Sequence, residues 1–523
     1  MKTLYKMALL LLAAASPAAA QAEWREATTR HFIVYSEGGE QELREFAAKL
    51  EKFDYVLRAY HKVTSPPSPI RLKVYLLPSI GAVGKMAGGG VAGYYIPDAR
   101  GLMMVGTHAG RQLGSDVRSA RDIPELDAES ILLHEYTHHF MYQYFPAAYP
   151  TWYSEGFAEF WGATDILDKD VVEIGLPANS RFLSFSFNRW LPLAKLFTAQ
   201  SYADVPEVDL LYAEGWLLLR HAFENPQRQK QIQAYLNAIN GGATYDQAAK
   251  TAFGDIAEYD SELFGYAGRG KFSVLRLPFK KIDVGPIEVR AVGRAEEAMM
   301  DLSIRLAQGV LQRDAAKLAD DVRESAGRFP DDPFALALLA EAERLAGRPE
   351  AAAAAADRLL KVAPNDPRGL LQKGLAEVAR LQAASSADAA AWTAARQYLV
   401  RAVKAAPNDP LALEGYYDSY AGRGVLPPDD AQAALYQAME LAPSDSDLRY
   451  KVAADFENRD MLEDAIAIIR PVAYELPHRE TEKQAKRREE LENKYREAGA
   501  LKRETAREML RRLEAKLSKK KAA

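Results

Sequence analysis

The pentapeptide Ala-Pro-Asn-Asp-Pro occurs twice in this chain, at Ala363 to Pro367 and at Ala406 to Pro410. Looser copies stand at Phe329 to Pro333 and at Ala442 to Asp445. The prolines Pro330, Pro364, Pro407 and Pro443 are 34, 43 and 36 residues apart, and the longest step carries an Ala/Ser-rich insertion near Leu381 to Ala390. A recurrence near 34 residues, with apolar residues at helical spacing between the copies, specifies a helix–turn–helix unit. Each unit leaves an apolar face that only the next can cover, so the units must stack as a solenoid. The expected first helices are Ala335 to Gly347, Gly369 to Leu381, Ala412 to Gly424 and Leu448 to Asp460. The repeats account for residues 293–477 and leave the long segment before them to fold by another rule.

That segment, residues 23–268, mixes two periodicities. Phe32 to Tyr35 and Arg71 to Leu76 read as strands, rich in β-branched and aromatic residues. Gln41 to Tyr60 between them has helical spacing. Ala92 to Ile96 and Gly101 to Val105 read as a hairpin joined by Pro97 to Arg100, and Leu102 to Val105 is the expected sheet edge, able to pair with an extended peptide. The run Gly88-Gly89-Gly90 lacks the Gly-Lys-Ser/Thr ending of a phosphate loop. Asp127 to Tyr144 and Thr151 to Gly162 read as two helices bracketing Pro146 and Pro150, with more helix from Gly215 to Asn237. Residues 269–292 read as an extended connector.

The ends carry separate messages. Residues 1–22 have the form of a secretory signal: Lys2 and Lys6, an apolar run from Met7 to Ala15, and small-x-small sites at Ala18-Ala19-Ala20 and Ala20-Gln21-Ala22. Export is therefore expected, into a bacterial periplasm. At the other end, residues 478–523 read as a charged, basic helix. From Arg479 onward there are 16 Lys/Arg and 9 Glu, against a net charge of -5 for the whole chain. A solvated helix or a weak contact with an anionic surface is expected of it. The near balance of 67 basic and 72 acidic residues argues against a nucleic-acid partner. There is no cysteine, so disulfides, thiolate zinc sites and cysteine nucleophiles are excluded, and any metal must be held by His and carboxylates.

The helix over Asp127 to Tyr144 contains His134-Glu135-Tyr136-Thr137-His138. Residues four apart share a helix face, so both imidazoles can reach one ion, with Glu135 beside it to accept a proton from bound water. The apolar flank Ile131-Leu132-Leu133 implies burial, and buried histidines need partners. Pro150-Thr151-Trp152-Tyr153-Ser154-Glu155-Gly156-Phe157-Ala158-Glu159 follows after a tight turn. A catalytic zinc takes three protein ligands and keeps one open position. Glu155 is the expected third ligand, and Glu159, one turn on, is placed to orient a ligand histidine. A metzincin is disfavoured, because Met141 and Tyr144 stand where it needs Gly and His.

His-Glu-x-x-His followed by Trp-x-x-Glu-Gly-x-Ala-Glu resembles the gluzincin metallopeptidases, especially the peptidase-MA-like bacterial proteins. The specific match covers about Ser130 to Glu159. The repeats resemble tetratricopeptide repeats. The resemblance implies an α+β zincin-like metallopeptidase domain followed by an all-α tetratricopeptide-repeat solenoid. It implies one Zn2+ per chain on His134, His138 and Glu155, with Glu135 as base and a downstream Tyr or His as second electrophile. Tyr212 is the candidate. The 16 residues between His138 and Glu155, and the lack of an exopeptidase motif upstream, depart from the aminopeptidase branch. The expected activity is peptide-bond hydrolysis, with the repeats recruiting protein substrates or partners. Two alternatives stay open: a tetratricopeptide scaffold whose zinc domain is inactive or structural, and a metal-dependent hydrolase of a non-peptide amide.

Overall fold

The computed structural model describes residues 24–107 (except 90), 128–167, 171–175, 190–199, 204–269 (except 206), 272, 275–279, 282–474 (except 423) and 504–522. The signal segment and the first half of the basic tail lie outside them.

Alternating side chains build the first layer. β1 (Arg25–Thr28), β2 (Phe32–Ser36), β3 (Leu72–Leu77), β4 (Tyr94–Ile96) and β5 (Met103–Thr107) join one sheet. Its order is β4-β5-β3-β2-β1, continued by a sixth strand, Glu288–Ala291, beside β1. β2, β3 and β5 run parallel, and the outer pairings are antiparallel. Successive residues of a strand point to opposite faces. Here both faces are buried: Phe32, Val34, Val74 and Met104 enter one core, and Tyr35, Tyr75, Met103 and Val105 another.

Helices cover both faces. On one side lie α1 (Glu40–Tyr60), with Leu50 and Phe53 in the core, and α3 (Ala128–Tyr144), with Leu132 and Phe140. On the other lies α2 (Ile80–Ala87), held through Val83. It is joined there by Met300 and Ile304 of Arg294–Ala307, the first helix of the repeat array. Each such side chain contributes roughly 1.5–3 kcal/mol on burial. The array therefore shares a core with the sheet.

One expectation needs correction. Leu102 to Val105 is not the sheet edge, because β5 lies between β3 and β4; the edge is β4. Strand propensity reports that a segment is extended, not which neighbours it acquires. The extended segment 269–292 does carry strands, and they pair with both sheets. β8 (Leu275–Pro278) joins a small three-stranded sheet with β6 (Asp165–Ile166) and β7 (Val171–Ile174), and β9 (Glu288–Ala291) closes the large sheet against β1.

After α4 (Thr151–Gly162), the described chain adds α5 (Leu193–Thr198), α6 (Val208–Glu224), α7 (Pro226–Asn240), α8 (Tyr245–Phe253) and α9 (Ile256–Ala267). The expected helix from Gly215 to Asn237 is thus two, broken where Asn225 caps α7 and Pro226 opens it.

The repeat region is all-α: five successive helix pairs, from α10 (Arg294–Ala307) and α11 (Gln312–Ala326) onward. The second to fifth first helices are α12 (Pro333–Leu345), α14 (Pro367–Ala383), α16 (Pro410–Ala421) and α18 (Ser446–Asn458); α13, α15, α17 and α19 (Pro349–Val362, Ala389–Ala405, Asp429–Leu441 and Leu462–Tyr474) partner them. This pairing at its 34-residue period fits a tetratricopeptide-type region. The recurring Asp-Pro now has a mechanism. Asp332, Asp366 and Asp409 accept hydrogen bonds from the first backbone N–H groups of the following helix, and Pro333, Pro367 and Pro410 sit where no N–H is required. The insertion behind the 43-residue step is absorbed by α14 and α15, of 17 residues each. The opening pair α10–α11 lacks the Asp-Pro signature, which is why the motif spacing alone passes over it.

The described end of the basic tail, α20 (Ala506–Ala522), is not merely a solvated helix. Met509, Leu510 and Leu513 pack against Ile466 and Ile469 of α19, capping the stack, and Arg512 and Lys516 pair with Glu457. No described helix is long and apolar enough to cross a membrane.

Candidate metal centre

α3 and α4 are brought together by small residues. A Cβ on Gly162 would sit 3.0 Å from His134 Cα, so glycine lets the end of α4 lie against α3 at the motif. On its other side α4 crosses α6 at Gly156 and Gly215, where a Cβ on either would overlap the other helix's backbone. The glycine of Glu155-Gly156 is therefore a packing residue, and the same crossing carries Tyr212 toward α3.

With the helices so placed, His134, His138 and Glu155 converge. The two imidazole Nε2 atoms are 3.1 Å apart, and Glu155 Oε2 is 3.4 Å from His134 Nε2 and 3.5 Å from His138 Nε2. A point equidistant from these three atoms lies about 1.9 Å from each, close to the roughly 2.0–2.2 Å at which zinc would take N and O ligands. Two imidazoles and a carboxylate also match the donor chemistry of zinc.

Each histidine is oriented from behind. Glu159 Oε1 lies 3.4 Å from His134 Nδ1, and Ser154 Oγ lies 3.4 Å from His138 Nδ1 and 3.3 Å from the Tyr142 hydroxyl. Partners on Nδ1 leave Nε2 facing the centre. Glu159 was expected from its helical spacing. Ser154 was not, because a serine next to a glutamate carries no pattern of its own. Its signal is the i−1 position to Glu155, on the face that α4 turns to α3.

The electrostatics follow from burial and crowding. Burial lowers the His134 pKa, but the hydrogen bond to Glu155 and the charges of Glu159 and Glu135 outweigh it and push it up to about 9. Burial raises the Glu155 pKa, yet the two imidazoles hold its carboxyl well below the usual range. The three carboxylates thus bind a proton here, and a divalent cation competes for the same place.

Glu135 points toward the sheet edge: its Cγ lies 3.8 Å from where a Cβ on Gly93 would stand, just before β4. The Tyr212 ring is 6.4 Å from that of His134, centroid to centroid. His139 turns away, its Nδ1 3.0 Å from the Tyr95 hydroxyl of β4. All six residues singled out by sequence therefore lie on α3, α4 and α6 around one centre.

No protein-family model matches the chain, and no curated protein matches it significantly. Among solved structures, the chain is similar to a thermophilic TPR protein of Thermus thermophilus, with 20% identity, covering 40% of this chain and 100% of that one, at a TM-score of 0.30. It is also similar to MamA (41-end) of Desulfovibrio magneticus, with 21% identity over 34% of this chain and 93% of that one, at a TM-score of 0.25.

Proposed function

We propose that this chain is a zinc-dependent peptidase whose metal is held by His134, His138 and Glu155. The observation carrying the reading is the convergence of those three donor atoms beside Glu135, which a purely structural site would not need. Zinc, when bound, supplies Lewis acidity toward a scissile carbonyl and makes its water acidic. Glu135 accepts the water's proton and returns it to the leaving amine. Tyr212 donates its hydroxyl hydrogen bond to the developing oxyanion. β4, the short antiparallel edge, offers backbone N–H and C=O groups to an extended peptide. Glu159 and Ser154 keep the imidazoles aimed inward.

Metal content of the purified chain by mass spectrometry tests this. We expect about one zinc per chain, strongly reduced by Glu155→Ala. Glu135→Gln should keep the zinc and lower peptide turnover roughly 10²–10⁴-fold. Full zinc in the Glu155 variant would end the ligand assignment.

The five helix pairs favour a second reading, a repeat scaffold for protein interaction in which the metal region is inactive. A Glu135→Gln chain that performs its cellular task unimpaired selects that reading.

A further inference from the structure

The array's first helices line one face, and that face already holds a piece of this chain. The turn between β4 and β5, Pro97 to Gly101, is seated on it. The Ala99 N–H donates to Asp445 Oδ2 at 2.7 Å, and the Ala99 side chain is buried in the cluster that contains Leu413 and Tyr417 of α16 and Leu448 of α18. At the other end of the array, Gln308 donates to the Tyr94 hydroxyl, and a Cβ on Gly309 would stand 3.2 Å from Arg100 Nη2. One short turn therefore touches the first pair and the fourth and fifth.

The contact continues into the candidate site. Tyr95, the central residue of β4, has its hydroxyl 3.1 Å from Ser444 Oγ and 3.0 Å from His139 Nδ1. A three-residue β-strand that pairs, among the described residues, on one side has little of its own to fix its position. Here it is fixed from outside, by α18's leading loop below and α3 above.

We propose that the repeat array is an internal clamp, whose first-helix face docks this chain's own β4–β5 turn and, through Asp445 and Tyr95, positions the edge strand beside Glu135. Tyr95 and Asp445 are positioning residues in this proposal. Its substrate side, that β4 is the strand a peptide pairs with, rests on the peptidase reading; the clamp itself does not. A partner that uses the first-helix face must displace the turn.

The experiment is amide hydrogen exchange on the full chain carrying Asp445→Asn, Tyr95→Phe or, as control, Asp332→Asn. Asparagine still caps a helix. Asp332 caps α12 through Phe334 and Ala335, so its variant reports the effect of an altered cap. Asp445 divides its two oxygens between Leu448 N and Ala99 N, so its variant must give up one of them. We expect exchange over residues 94–101 to quicken at least tenfold in Asp445→Asn and Tyr95→Phe but not in Asp332→Asn, with bound zinc unchanged in all three. Exchange there no faster than in the control overturns the clamp. In protein that hydrolyses peptide, the same two variants should raise KM severalfold with kcat within about twofold; an unchanged KM despite faster exchange overturns the positioning role while leaving the docking intact. Absence of hydrolysis in the parent chain counts against the peptidase reading, and the exchange data still decide the clamp.

Discussion

Carboxylates serve opposite ends in the two regions. In the helix pairs, Asp332, Asp366 and Asp409 direct their oxygens to the backbone N–H groups at helix starts. At the candidate metal centre, Glu155 and Glu159 direct theirs to imidazoles. Glu214 of α6, fully buried, accepts one hydrogen bond from Leu191 N at 2.6 Å. A cap lowers the energy of the backbone that carries it. A carboxylate in an apolar wall, as Glu214 is, raises the energy of its own surroundings and has to be held by packing. The repeats thus gain stability locally, pair by pair, whereas Glu214 of the α/β region is an unfavourable buried group that long-range contacts hold in place.

Three substitutions probe that contrast. The largest effect is expected from Gly156→Ala, which forces α4 and α6 apart by a backbone contact that cannot rotate away. About 3 kcal/mol of stability should be lost, the upper end for overpacking, and zinc affinity should fall with it because Glu155 moves. Thermal unfolding with and without zinc measures both; an unperturbed midpoint would show that the crossing is softer than its geometry.

Glu214→Gln should act in the opposite direction. Burial pushes the Glu214 carboxyl up to about 9, with Leu191 N pulling it down and the Asp260 charge raising it further. A folded pKa above the unfolded one means that the native state holds the proton while the unfolded state has lost it, so stability falls as pH rises from about 4.5 to about 9. The glutamine variant escapes that slope. It should be more stable than the parent by up to about 3 kcal/mol at pH 7, with the gain vanishing near pH 4. Denaturant midpoints at the two pH values decide it.

The smallest effect belongs to the repeats. Asp366→Ala removes one cap and should cost about 1 kcal/mol, confined to its own and neighbouring pairs. Exchange protection lost equally along the whole chain would mean that the two regions share one cooperative unit, and the contrast drawn above would dissolve.

What could be read from sequence follows the range of the forces involved. α3, α4, β2, β3 and the four later first helices are set by local periodicity, capping and proline, and they lie within a few residues of where those signals place them. The convergence of His134 and His138 was legible because a four-residue helical spacing puts them on one face without knowledge of the rest of the fold. The position of β4 at the edge, the recruitment of Glu288–Ala291 into the sheet, and the contact of Ser154 with His138 depend on pairings between distant segments. No local pattern encodes those. Gly156 and Gly215 fall between: an isolated glycine in an apolar helix hints at close approach, but not at which helix approaches.

The helix Arg294–Ala307 belongs to both regions at once, as first member of the array and as the lid on Tyr75, Met103 and Val105. Removing that helix would leave Ile80–Ala87 alone over the face and expose the part that Met300 and Ile304 cover. The joint between the two architectures is a shared wall, so a boundary drawn between residues 292 and 294 would cut through one core.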